Sequence, residues 1–202
     1  MTEKSLGLLA LETIAGFYIP YEEERLINMP PDRIELISSY ASRTKQLDKI
    51  LSLLTKEFCA TQCDWNNDEK GRYCGCCETK FYDTSMSEEM LILQRLEAKK
   101  NGWVYGFAKG SECDYFAEDG CKLKIFKSPT CIGYVCKRTF KPFRSTPERK
   151  KIVDNFYDAM MDVFAGRLFD IRRIQVLKSL DQAIAYGSQL VIIKNELDKI
   201  NE

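Results

Sequence analysis

In the segment PPDRIELISSYASRTKQLDKILSLLTKEFC, Ile34, Ile37, Tyr40, Leu47, Ile50, Leu51 and Leu54 recur near helical spacing, the pattern of a helix with one buried face. Pro31 suits the first turn, where its missing N–H costs nothing. The spacing predicts a helix over 32–57 that delivers Cys59 just past its end. A second helix is predicted in TSMSEEMLILQRLEAKKNG, with Ser85 as N-cap, Glu88 three residues on and Gly102 as the stop. WVYGFA (103–108) and CKLKIF (121–126) read as brief strands, the second because its apolar residues alternate. Thr146 followed by Pro147 and Glu148 is an N-cap with proline at the first helical position. Beyond it, Ile152, Phe156, Met160, Val163, Phe164, Leu168 and Ile171 make a helical stripe. A last helix is expected over 181–200, with Ile184, Leu190, Ile193 and Leu197 inward.

The fold class this implies is mostly α, with helical arms around an irregular cysteine-rich middle that has one or two short strands. At 202 residues the chain is expected to form a single domain, long enough to bury a core without covalent staples. Its flanking helices, 32–57 and 147–200, enclose a core segment at 58–136.

Composition changes this picture at one place. The chain has nine cysteines and no histidine. All the cysteines fall between Cys59 and Cys136: Cys59, Cys63, Cys74, Cys76 and Cys77 upstream, then Cys113, Cys121, Cys131 and Cys136. The apolar N-terminal stretch SLGLLALETIAGFYIP has acidic residues in or near it, at Glu3 and Glu12, and no clean cleavage site. It therefore reads as part of the fold rather than a signal peptide. The absence of any run of eighteen apolar residues predicts no membrane span. The compartment expected is the cytoplasm, where clustered thiols are more often ligands or redox groups than disulfides. The odd count and the adjacent pair Cys76 and Cys77 also suit a disulfide framework poorly.

Thiolate is a soft ligand, and four arranged tetrahedrally suit zinc or an iron–sulfur cluster. Cys74 and Cys77 are the single Cys-x2-Cys pair, and no second one completes the paired knuckles of the common zinc modules. The lack of histidine removes the usual ligands of catalytic zinc. Buried cysteines acting as small hydrophobes, or a redox switch, are the alternatives.

The stretch CDYFAEDGCKLKIFKSPTCIGYVC resembles the YkgJ-type cysteine-cluster family, a zinc- or iron-chelating group. Cys113, Gly120, Cys121, Leu123, Pro129, Cys131, Tyr134 and Cys136 carry the likeness, together with the gaps of nine and four residues around Cys131. Ser128 stands where that family has arginine before proline, and Pro129 lies one place off. Upstream, Phe58 and Cys59 resemble the family's opening more loosely, with the insertion DWNNDEKGRY and the compressed ending CGCC. The likeness spans about Phe58 to Cys136 and implies metal binding without an agreed reaction. A related branch resembles the flagellin lysine N-methylases.

On this basis the expected ligands are Cys59, Cys63, Cys74 and Cys77 upstream and Cys113, Cys121, Cys131 and Cys136 downstream. Cys76 is the spare, since adjacent residues of an extended chain point to opposite sides. Iron–sulfur clusters accept more varied spacing than zinc modules, which favours a cluster over zinc as the cofactor. The function expected is a metal-binding protein. The alternatives are a protein N-methylase-like enzyme or accessory, and an interaction module with a structural metal. Whether the chain is an enzyme stays open, as does a protein partner.

Charge bears on partners. Thirty basic residues balance thirty acidic ones, which argues against a global polyanion-binding field. The stretch KRTFKPFRSTPERKK nonetheless gathers Lys137, Arg138, Lys141, Arg144, Arg149, Lys150 and Lys151 around Phe140 and Phe143. Phosphate cradling or base stacking is one reading of it. A solvated loop and first helical turn is the favoured one, so nucleic acid is not an expected partner.

Overall fold

The structure is a computed structural model, and it describes residues 4–61, 86–102, 115–117, 120–166, 168 and 173–201. Its architecture is mostly helical. In chain order the helices are α1 (Leu6–Ala15), α2 (Glu24–Ile27), α3 (Pro31–Thr61), α4 (Glu88–Lys100), α5 (Pro129–Gly133), α6 (Pro147–Phe164) and α7 (Arg173–Asn201). A 3₁₀ helix spans Lys137–Phe143, and two-residue strands β1 (Phe116–Ala117) and β2 (Gly120–Cys121) pair antiparallel.

The long helix α3 carries the predicted stripe. Ile34, Ile37, Tyr40, Leu47, Ile50 and Leu54 are buried, and Leu51 is packed at the edge of the core. The helix runs past the predicted end at 57, so Cys59 falls in its last turn rather than beyond it. The physical reason is that no glycine or proline follows Pro31 until Gly71, so nothing in the backbone forces a stop at 57. The side chain of Cys59 lies outside the described residues.

The N-terminal stretch is part of the fold. Ser5 caps α1 by accepting a hydrogen bond from the Leu8 N–H at 3.3 Å. Leu8 and Leu11 are fully buried, and α1 packs on α3. Among the described residues, no helix is long and apolar enough to cross a membrane.

α6 begins at Thr146 and Pro147 as the sequence predicts, with the Thr146 hydroxyl accepting from the Arg149 N–H. Its buried face is Val153, Phe156, Ala159, Met160 and Val163. The stripe does not continue as one helix to Ile171: α6 ends at Phe164, and the chain turns through Ala165 and Gly166. The last helix starts at Arg173, not Asp181. Val176, Leu180, Ala183 and Leu190 are buried along it, so its core-facing stripe begins two turns before the residues that predicted it. Ile193 is buried, while Ile184 and Leu197 pack at the core margin. α3, α6 and α7 form the central helical layer, fastened outside by Arg43 to Asp181 at 2.8 Å and Arg149 to Glu196 at 2.9 Å.

Candidate metal centre

The cysteine-bearing segment is assembled from α4 onward. α4 is capped by Ser87, whose hydroxyl accepts from the Met90 N–H. This corrects the predicted cap at Ser85, which lies outside the described residues. Ser87 directly precedes the acidic first turn, Glu88 and Glu89, where a cap and the helix dipole act together. Gly102 stops the chain as predicted, at a positive φ of 77° that glycine adopts at no steric cost.

The predicted strand over 121–126 is not formed beyond Cys121. Its backbone is held instead by side chains of α3 and α4. The Glu97 carboxylate accepts three consecutive backbone N–H groups, from Lys124 and Ile125 at 2.8 Å and from Phe126 at 2.9 Å. Asn101 donates to the Lys122 carbonyl at 2.6 Å and Gln94 to the Phe126 carbonyl at 2.7 Å. From α3, Thr44 donates to the Ile125 carbonyl, and Tyr40 donates to the Lys127 carbonyl at 2.6 Å. Asp48 on the same helix pairs with the Lys127 ammonium. A buried irregular segment must find partners for its backbone groups, and here seven side-chain bonds provide them.

Apolar contacts set the same path. Leu123, Ile125 and Phe126 are all buried. Two adjacent buried side chains, Ile125 and Phe126, do not fit the alternation of a half-exposed strand. Ser128 then caps α5 by accepting from the Cys131 N–H at 3.2 Å, with Pro129 at the first helical position.

Of the predicted ligands, Cys121, Cys131 and Cys136 are described, each a thiol and each partly buried. Cys121 packs beside Ala98, Tyr115 and Leu123. Cys131 sits in the first turn of α5, and Cys136 leads into the 3₁₀ helix, where its carbonyl accepts from the Thr139 N–H. Burial first, and then the electrostatic influence of Cys136, push the Tyr157 phenol on α6 above its usual range. Cys63, Cys74, Cys76, Cys77 and Cys113 lie outside the described residues, as does the strand predicted over 103–108. Among the described residues, no three Cys, Asp or Glu side chains gather as a metal ion would require. Cys121, Cys131 and Cys136 therefore make no site by themselves. An all-thiol donor set does fit a soft metal or an iron–sulfur cluster chemically, and any remaining ligands belong to the other predicted cysteines.

The clamp residues were missed by the sequence reading, although they left a trace. Thr44 and Asp48 fall on the same face of α3 as Tyr40 and Leu47, and Gln94 and Glu97 share the buried face of α4 with Met90 and Leu93. Polar residues on a core-facing stripe are the signal, because burial obliges them to find partners.

The basic stretch resolves into local contacts. Phe140 and Phe143 are buried and pack together with ring centroids 6.1 Å apart, and Phe140 also meets Phe156 at 5.3 Å. These two rings are core, not a stacking platform. Arg144 pairs with Asp154 at 2.9 Å, and the Lys137 ammonium lies 4.7 Å from the centre of the Tyr157 ring.

The Glu97 carboxyl is almost fully buried. Burial raises its pKa, and the N–H groups of Phe126, Lys124 and Ile125 together with the Lys127 charge pull it only part of the way back. A carboxyl whose folded pKa exceeds its unfolded one binds its proton more tightly in the folded chain. Its contribution to stability is therefore present in acid and falls as pH rises from the ordinary carboxylate value through the raised one. Denaturant midpoints across that window are expected to decline more with rising pH in the wild type than in Glu97→Gln, which cannot titrate. A steeper decline in the variant would contradict the assignment.

No protein-family model, curated protein or solved structure matches the chain. The resemblance to the YkgJ-type family thus rests on the cysteine spacing and its neighbouring residues.

Proposed function

We propose that the protein holds a cysteine-ligated metal centre, an iron–sulfur cluster or zinc, in the middle of its chain. The ligands are drawn from Cys59, Cys63, Cys74, Cys77, Cys113, Cys121, Cys131 and Cys136, with Cys76 outside the set. The observation that supports this reading most is the clamp from α3 and α4, which fixes an irregular chain path between two partly buried thiols. Soft thiolates positioned on turns are the donors that zinc and iron–sulfur centres take. Only one Cys-x2-Cys pair is present, Cys74 and Cys77, and the more varied spacing of the other cysteines favours the cluster.

Anaerobic purification followed by elemental analysis and a visible spectrum tests the proposal. The expected result is a brown protein with iron and labile sulfide, or a colourless one with stoichiometric zinc. Protein with neither metal, and no uptake of either on reconstitution, would overturn it.

A further inference from the structure

We infer that Glu97 is the positioning residue of the metal centre: its buried carboxylate acts as an internal anion that sets the path of the chain between Cys121 and Cys131. The role given to those two cysteines rests on the metal-centre reading, whereas the anchoring itself does not.

Glu97 is 2% exposed and stands on α4, a helix tied independently to the rest of the protein through Met90 and Leu93 in the main core. Three successive N–H groups pointing at one carboxylate form a small concave anion receptor, of the kind that backbone turns offer to phosphate. Here the anion is part of the protein. One carboxylate oxygen serves Lys124 and Ile125 and the other serves Phe126, so both oxygens are required as acceptors.

This makes the residue type specific. Glutamine has the same shape but offers only one oxygen, and its amide N–H2 would face either one N–H or two, donor against donor. Leaving a buried donor unsatisfied is costly, more so than a net hydrogen bond is worth. Cys121 lies three residues before Lys124, and Cys131 lies five after Phe126 in the first turn of α5. Both thiols therefore hang from the turn that Glu97 holds. Gln94, one turn before it on α4, and Asn101, the residue that caps the end of that helix, grip the carbonyls of Phe126 and Lys122. The geometry of a thiolate centre depends on such supporting contacts as well as on its ligands.

The test uses the full chain as purified and Glu97→Gln. Amide hydrogen exchange comes first. In the variant, Lys124, Ile125 and Phe126 are expected to exchange about tenfold faster or more, as lost buried hydrogen bonds allow, while amides in the middle of α6 change little. The second readout is cobalt(II) as the probe metal, followed by its thiolate-to-cobalt absorption. Glu97→Gln is expected to weaken and shift that band at equal folded fraction, which a merely structural role would not do.

Unchanged exchange at the three amides would overturn the anchoring, whatever the metal result. Faster exchange with an identical cobalt spectrum would overturn the positioning role. Faster exchange in a protein whose wild type takes up no cobalt, iron or zinc leaves the anchor standing and removes the metal reading. If Glu97→Gln does not fold, Asn101→Ala replaces it. That variant loses only the bond beside Cys121 and is expected to shift the cobalt band in the same direction, and an unshifted band would again overturn the positioning role.

Discussion

Gly133→Ala is expected to destabilise the protein by about 3 kcal/mol, the upper end of what overpacking a core costs. A methyl group at Gly133 would sit 2.4 Å from the backbone nitrogen of Phe164, 2.7 Å from its Cα and 2.8 Å from the Met160 carbonyl oxygen. All three are backbone atoms of α6, so no rotamer change relieves the clash. Gly133 ends α5 where that helix docks on the last turn of α6, beside Ile132 and Val135, which are both buried. Accommodating the methyl means pushing α5 away, and Cys131 moves with it. Gly7→Ala is the matched control. There the nearest atoms to the added carbon belong to the Ile34 side chain, the closest at 3.2 Å, and alanine gains about 1 kcal/mol of helix propensity over glycine within α1. Chemical denaturation should separate the two, with Gly7→Ala close to the wild type. Equal midpoints for Gly133→Ala and the wild type would mean that α5 does not rest on α6 as described.

The helical scaffold was legible because apolar spacing and caps report local physics. The stripe of α3, the Thr146 and Pro147 start of α6 and the Gly102 stop all follow from residues within one or two turns of the feature they predict. The failures have a common cause in longer-range contacts. CKLKIF alternates as a strand would, yet its donors and acceptors are taken by Glu97, Gln94 and Thr44, more than twenty residues away. A glutamate on a charged helix ordinarily reads as solvent-facing. Glu97 is buried only because the chain beyond it turns three N–H groups onto its carboxylate. The break between α6 and α7 was hidden for a similar reason, since apolar residues on both sides of Gly166 reach the same core. The cysteine set was visible as composition and spacing, while its geometry depends on which side chains meet across the fold.

Metal removal is expected to divide the protein into a part that holds and a part that does not. If the centre is structural zinc, its binding energy is on the order of 10 kcal/mol and is folding energy for whatever it organises. The main core is built mostly from α1, α3, α4, α6 and α7, joined by Ile125, Phe126, Ile132 and Val135 of the cysteine-bearing segment, with Phe156, Tyr40, Leu8 and Leu190 fully buried in it and no described cysteine among its buried members. A chelator should therefore leave most of the helical circular dichroism in place. The loss should appear as faster amide exchange around the cysteines, outside α4. Single serine replacements sharpen the same expectation. Cys131→Ser should lose most of the bound metal, because Cys131 is fixed by the Ser128 cap and by α5 and has no neighbouring cysteine to take its place. Cys77→Ser should lower metal content as well, and Cys76→Ser should leave it nearly unchanged, since neighbouring residues of an extended chain face opposite ways. Elemental analysis of the three variants, purified without air, reads the outcome. Full metal content in Cys131→Ser, or collapse of the helical signal on chelation, would show that the scaffold and the thiols are not divided in this way.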